Sequence, residues 1–297
     1  MNDYQHCTLC PRHCGVDRTA GKGVCGESNT LRISRASLHL WEEPCLSGKN
    51  GSGTVFFTGC NLGCIYCQNE GISHGHHGKE ITVQRLAEIF LELQEQGAEN
   101  INLVTAAHFT PHVVRALDTA RKSGLTLPVV YNSSGYESAE TLRKLRGYVD
   151  IYLPDYKYRD PVLAARFSHA ADYPTVAKAA LKEMFSQVGT PVFDENGMMK
   201  RGMIVRHLIL PGHTADSMTV LSDLHETFGN DIYVSIMSQY TPCRPFPDHK
   251  ELSRKLTKYE YKKVTDFAEK IGIIHGFLQS GEAATESFIP DFDFRGV

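Results

Sequence analysis

The sequence has no excess of basic residues. Its 31 Lys and Arg stand against 34 Asp and Glu, a formal charge of -3 over 297 residues, which gives no support to nucleic acid or an anionic membrane as a partner. No uninterrupted apolar run approaches the length needed to cross a bilayer, and the stretch from Met1 to Cys7 lacks a basic segment followed by an apolar one. There is no low-complexity segment and no sequence repeat. The expectation is therefore a cytoplasmic chain, in which nine cysteines are thiols or metal ligands rather than disulfides. With 41% hydrophobic and 22% charged residues, the chain has the composition of a soluble protein. Its length allows one large domain or two ordinary ones.

The cysteines are clustered. Four lie between residues 7 and 25, three between 60 and 67, and only Cys45 and Cys243 stand alone. Three thiols within Gly59-Cys-Asn-Leu-Gly-Cys-Ile-Tyr-Cys67 are one short of a closed zinc site and do not make an even disulfide count, so they point to a metal centre with one open position.

From about residue 54, short β-branched runs alternate with amphipathic segments, which predicts strand-helix units around a parallel sheet. The expected strands are Thr54–Phe57, Ile101–Val104, Leu127–Tyr131, Val149–Leu153, Met203–Leu210 and Asp231–Met237. The expected helices run from Val83 to Gln96, from Thr110 as N-cap with Pro111 behind it, from Ala139 to Leu145, within 161–188, from Ala215 to Phe228 and from Thr257 to Ile271. Asn196-Gly197 marks a hairpin turn. Six units predict an α/β fold of the partial (β/α)6, TIM-like barrel type. Residues 1–50, Gly- and Cys-rich with little apolar periodicity, read as a small metal-binding module. The Gly48–Gly53 loop joins it to a barrel spanning 51–297 with a C-terminal extension.

Cys60, Cys64 and Cys67 follow the first predicted strand directly, and in such barrels the reactive groups gather at the C-terminal ends of strands. The short spacers let three sulfurs turn inward on one loop. Three thiolates around a 4Fe-4S cluster leave one iron free; the competing reading is a zinc site that borrows a distant ligand such as His74.

This C-x3-C-x2-C spacing, with Tyr66 just before the last cysteine, resembles the radical S-adenosylmethionine (SAM) superfamily. Within it the chain is similar to the pyruvate formate-lyase activating enzyme branch. The motifs are Cys-Pro-Arg-His-Cys-Gly-Val-Asp-Arg (10–18), Gly-Ser-Gly-Thr-Val-Phe-Phe-Thr-Gly-Cys (51–60), Asn-Leu-Val-Thr (102–105), Arg-His-Leu-Ile-Leu-Pro-Gly (206–212) and Ser-Gln-Tyr-Thr-Pro (238–242). The resemblance implies that the free iron is chelated by the amino and carboxylate groups of SAM, and that one electron then cleaves the sulfonium to methionine and a 5'-deoxyadenosyl radical that abstracts hydrogen. It implies an electron donor such as flavodoxin or ferredoxin, and a glycyl radical enzyme as a partner. It also places Asp155 and Lys157 of a D-x-K motif beside SAM, Asn132 and Ser133 where the activating enzymes have Asp-Thr at a cation, and Arg206 near the methionine carboxylate. The second strand departs from the pattern. Val104-Thr105-Ala106 stands where many members have Gly-Gly-Glu, leaving the Thr105 hydroxyl and backbone carbonyls to accept from the SAM ammonium. Gln239-Tyr240-Thr241 replaces a histidine expected after strand six.

Cys7, Cys10, Cys14 and Cys25 supply enough thiolates for a closed second centre, and their spacing suits an auxiliary 4Fe-4S cluster and a structural zinc equally. Residues 73–78, Ser-His-Gly-His-His-Gly, read as a solvated loop rather than a metal site. Cys243 and Cys45 read as plain loop thiols before substrate contacts, and His108 and His112 as pocket-lining or capping groups. Two rivals to glycyl radical activation remain: a radical SAM enzyme acting on a small molecule or peptide, and a non-catalytic iron-sulfur carrier or redox scaffold. The missing Gly-Gly-Glu favours the carrier, while Asp155, Lys157 and Arg206 oppose it.

Overall fold

A computed structural model of the chain describes residues 3–75, 77–278 and 290–297. In chain order the elements are β1 (Arg32–His39), α1 (Pro44–Ser47), β2 (Ser52–Phe57), α2 (Glu70–Ser73), β3 (Lys79–Glu80), α3 (Val83–Glu95), β4 (Ile101–Val104) and α4 (Thr110–Lys122). There follow β5 (Val129–Ser133), α5 (Ala139–Arg143), β6 (Ile151–Pro154), α6 (Pro161–Ser168), α7 (Tyr173–Val188), β7 (Val192–Phe193), β8 (Met199–Leu208), α8 (Thr214–Phe228), β9 (Tyr233–Met237), α9 (Lys258–Lys270) and β10 (Gly276–Leu278).

One sheet runs β10-β9-β8-β6-β5-β4-β2-β1-β3, with β7 paired to β8. The strands from β2 to β10 along that path are parallel. This is the partial barrel that six strand-helix units predict. Every residue of β2, β4, β5 and β6 is buried, as parallel strands covered on both faces require. Helix α3 turns Leu86, Ile89, Phe90 and Leu93 to the core, and Thr82 caps it by accepting from Arg85 N. No helix among the described residues is long and apolar enough to cross a membrane.

Besides β10, a seventh parallel strand beyond the six predicted, three features differ from expectation. Strand β8 begins at Met199, four residues before the predicted start, because the Asn196-Gly197 turn folds Val192–Phe193 back onto it. Thr110 is not an N-cap but the first residue of α4; the 3-10 turn Ala107–Phe109 runs straight into the helix, and the Thr110 hydroxyl donates to Ala107 O at 2.8 Å. The third difference is β1, within the first 50 residues, which pairs antiparallel with β2 and carries an irregularity between Ile33 and Arg35. That irregularity breaks the period-2 alternation that would have announced a strand.

After β1 the chain turns under the barrel. Cys45 and Leu46 of α1 pack against Val130, Ile151, Leu153, Met199 and Ile204, so a four-residue helix fills the space the strands enclose. Cys45 is thus a buried packing residue, not a loop thiol. The last residues return to the same edge. Ala36 N donates to Arg295 O at 2.9 Å, Arg35 pairs with Asp293 at 2.8 Å, and Phe292 lies edge-on to Phe56.

Candidate active site

The loop after β2 is held tightly. A side chain at Gly59 would place Cβ 2.5 Å from Glu27 Cγ and 2.7 Å from Cys25 O, at a φ of 76°, so only glycine passes. Asn61 Nδ2 donates to Tyr136 O at 2.7 Å, and Ile65 N to Phe167 O at 2.9 Å. The Arg12 guanidinium donates to Asn61 O and Leu62 O on this loop, and to Ser168 O and His169 O at the end of α6.

Each sulfur on the loop accepts a hydrogen bond. Leu62 N donates to Cys60 at 3.4 Å, Ser168 Oγ to Cys64 at 3.0 Å and Ser73 Oγ to Cys67 at 3.3 Å. Burial pushes all three thiols up, Cys67 to about 12, while the Lys157 charge acts in the opposite sense on Cys60 and Cys64. Such thiols ionise only when a bound cation replaces the lost solvation. Three sulfurs on one loop, each with a donor, fit three irons of a cubane cluster. Tyr66 is buried beside them, its hydroxyl 2.6 Å from that of Tyr158.

The second half of the site lies at the C-terminal ends of the next strands. Lys157 Nζ reaches Asp155 Oδ2 at 2.6 Å, and Arg206 Nε reaches Asp155 Oδ1 at 3.1 Å. Burial acts to raise the Asp155 pKa, but these two cations outweigh it and hold the carboxyl below its ordinary value. Arg206 also donates to Asn132 Oδ1 at 2.6 Å. Thr105 follows β4 at a φ of 61°, a left-handed conformation unusual for a β-branched residue.

A cavity of about 250 Å³ joins the halves: Cys60, Cys64, Tyr66 and Cys67 line it, and so do Thr105, Asn132, Ser133, Asp155, Lys157 and Arg206. Every residue predicted for the loop and for the SAM side therefore faces one space. Glu42 and His39 line it as well, and neither was anticipated, because both precede the barrel in sequence and belong to no strand-end motif.

The other candidates fall outside it. Cys7, Cys10 and Cys25 are buried and Cys14 partly so, all as free thiols. Burial pushes Cys10 up to about 12 and raises Cys25. Cys14 is lowered: burial would raise it, but backbone donors led by Val16 and Val24 prevail. A Cβ on Gly23 would lie 3.4 Å from the Cys25 sulfur and 3.5 Å from that of Cys14, so these two sulfurs approach one point. The Arg18 guanidinium, fully buried, lies 3.8 Å from the Cys7 sulfur. Among the described residues, no group of three or more His, Cys, Asp or Glu side chains is placed to hold a metal ion. The module abuts the loop, Cys60 N donating to Cys25 O at 3.3 Å.

His108 and His112 neither line the cavity nor cap a helix. His108 bonds Thr58 O at 2.7 Å and His112 bonds Asn29 O at 2.6 Å, fastening α4 to the cysteine loop and the module. His74 meets Ser73 Oγ at 3.0 Å, and His77 lies against Phe294; His76 lies outside the described residues. Cys243 is exposed and is not part of the cavity wall.

A profile of the Radical SAM superfamily matches residues 54–218. An uncharacterized protein of Methanocaldococcus jannaschii is 29% identical over 279 residues, covering 92% of this chain and 77% of that one. Among solved structures, Streptococcus suis SuiB bound to precursor peptide SuiA is similar at a TM-score of 0.49 and 10% identity over 75% of this chain and 46% of that one. The FeFe-hydrogenase maturase HydG from Carboxydothermus hydrogenoformans is similar at 0.44 and 13% over 78% and 58%. The chain thus spans about half the length of these two solved structures.

Proposed function

Because this chain belongs to the radical SAM superfamily, we propose that it binds a 4Fe-4S cluster at Cys60, Cys64 and Cys67 with SAM beside it, and uses them to remove a hydrogen atom from a substrate. The observation that carries this reading is the shared cavity, with three hydrogen-bonded sulfurs at one side and Asp155, Lys157 and Arg206 at the other. When bound, the cluster and SAM supply a one-electron cleavage of the sulfonium, to methionine and a 5'-deoxyadenosyl radical.

The chain's own residues bind, orient and exclude water. Donors from Leu62, Ser73 and Ser168 stabilise negative charge on the sulfurs. Lys157 and Arg206 offer cationic donors to a carboxylate, with Asp155 fixing both. Asn132, Ser133 and Thr105 offer hydroxyl and amide groups along the same wall. Phe56, Leu208 and Met237 close the cavity with apolar surface, which keeps water from a reactive radical.

Within this class we propose that the hydrogen comes from a glycine of a partner enzyme, as in the activating enzymes that the motifs at 10–18, 51–60, 206–212 and 238–242 resemble. An electron donor of the flavodoxin or ferredoxin kind reduces the cluster, and the four N-terminal cysteines hold a second metal. The test is anaerobic incubation of the cluster-loaded protein with SAM and a strong reductant, beside Cys64→Ala. The expected result is 5'-deoxyadenosine from the wild type alone; no product from cluster-loaded wild type would favour the carrier reading. A glycyl radical signal on a co-purified partner supports the activating role. Product without that signal moves the substrate to a small molecule or peptide.

A further inference from the structure

Behind Cys64 lies a chain of hydroxyl groups whose direction follows from counting hydrogens. Ser168 Oγ donates to the Cys64 sulfur at 3.0 Å and lies 2.8 Å from the Tyr158 hydroxyl, which lies 2.6 Å from that of Tyr66. Each hydroxyl carries one hydrogen. That of Ser168 goes to the sulfur, so Tyr158 donates to Ser168, and Tyr66 in turn donates to Tyr158. The opposite order would strip the sulfur of this donor and leave the buried Tyr66 hydrogen without the acceptor it has in Tyr158, which is costly.

The chain is closed to solvent. Ser168 and Tyr158 are fully buried and Tyr66 is 5% exposed; Phe167 packs against both tyrosine rings, and Tyr173 lies edge-on to Tyr158. The three residues come from separate segments: the cysteine loop, the stretch after β6 and the last residue of α6. Backbone bonds hold these segments in register. Ile65 N donates to Phe167 O at 2.9 Å and Arg12 to Ser168 O at 3.1 Å, joining the loop to α6, and Asp216 accepts from Arg159 N beside Tyr158. In such a chain each hydroxyl that accepts a hydrogen bond becomes a stronger donor to the next group.

We propose that Tyr158 is a positioning residue for the cluster: backed by Tyr66, it holds the Ser168 hydroxyl on Cys64 and strengthens that bond, which raises the potential at which the cluster accepts an electron. This rests on the cluster reading above. The electron comes from the reductant, and every hydroxyl keeps its proton.

The test is an EPR-monitored redox titration of the full, cluster-loaded chain without SAM, for wild type, Tyr158→Phe, Ser168→Ala and the double variant. Tyr158→Phe is expected to lower the midpoint, so that the ratio of reduced to oxidised cluster at the wild-type midpoint falls about two- to fourfold, the scale on which one hydrogen bond polarises a charge-assisted neighbour. The double variant is expected to match Ser168→Ala alone, because without the serine hydroxyl the tyrosine has nothing to act through. An unchanged midpoint in Tyr158→Phe would overturn the proposal. So would an equal fall in the wild-type and Ser168→Ala backgrounds, since Tyr158 would then act on the cluster by another route. Iron content and a melting curve establish that each variant is folded and loaded. If Tyr158→Phe is not, Tyr66→Phe removes the outer donor and is expected to lower the midpoint in the wild-type background and leave it unchanged in Ser168→Ala; any other pattern overturns the proposal. Failure of the wild type to take up a cluster would sink the parent reading instead, and this assignment with it.

Discussion

Ser168 stands 104 residues from the cysteine it touches. It receives Tyr158, which meets Tyr66, so a hydroxyl chain leads from the Cys64 sulfur into the tyrosine cluster. Ser168→Ala removes a donor from a cluster thiolate, and since such bonds favour the more negative, reduced state, the midpoint potential in an EPR-monitored titration is expected to fall below wild type. A second prediction concerns Asp216, which accepts from Arg159 N at 3.1 Å and Asp160 N at 2.7 Å. Burial raises its pKa to about 6 against these donors. The folded state thus holds a proton that the unfolded chain has released. The stabilisation is fully present below about 4, the ordinary carboxylate value, and is lost as pH rises through about 6. Denaturation midpoints across that window should fall for wild type and stay flatter for Asp216→Asn. The spacing of Cys60, Cys64 and Cys67 after a predicted strand was legible in sequence, whereas Asp155, Lys157 and Arg206 came from the resemblance; all six line one cavity. The place of Glu42 on the cavity wall was not legible, since it meets Asn102 across 60 residues of chain that only the fold brings together.

Among the elements, six of the seven parallel strands were legible through their apolar runs, with ends shifted by a few residues. Besides the short β10, β1 and α1 were hidden. An irregular ladder erases the alternation of β1, and a helix as short as Pro44–Ser47 shows no period at all. Helix α1 nonetheless occupies the middle of the barrel. Leu46 is fully buried against Val130, Ile151 and Ile204, so Leu46→Ala leaves a void there. A loss of about 2–5 kcal/mol is expected from denaturant titration.

Taken whole, the molecule is knit across its sequence. The Arg12 guanidinium serves four carbonyls on two separate segments and covers the Tyr136 ring, which ties the N-terminal module to the cysteine loop and α6. The proposal that the N-terminal thiols hold a second metal is tested by metal analysis of a Cys10→Ala, Cys14→Ala double variant. Loss of about four iron per chain identifies a cluster and loss of about one zinc a zinc site, with the iron at Cys60, Cys64 and Cys67 retained in both cases. Loss of neither would mean that the N-terminal thiols hold no metal.

The position of α1 also bears on how the chain comes into being. Residues 44–47 leave the ribosome before any of the strands that enclose them, and translation proceeds slowly beside the formation of local structure. The filling is thus present before its container. Each later strand can be laid down against a peg already in place, and the barrel need not open to admit one.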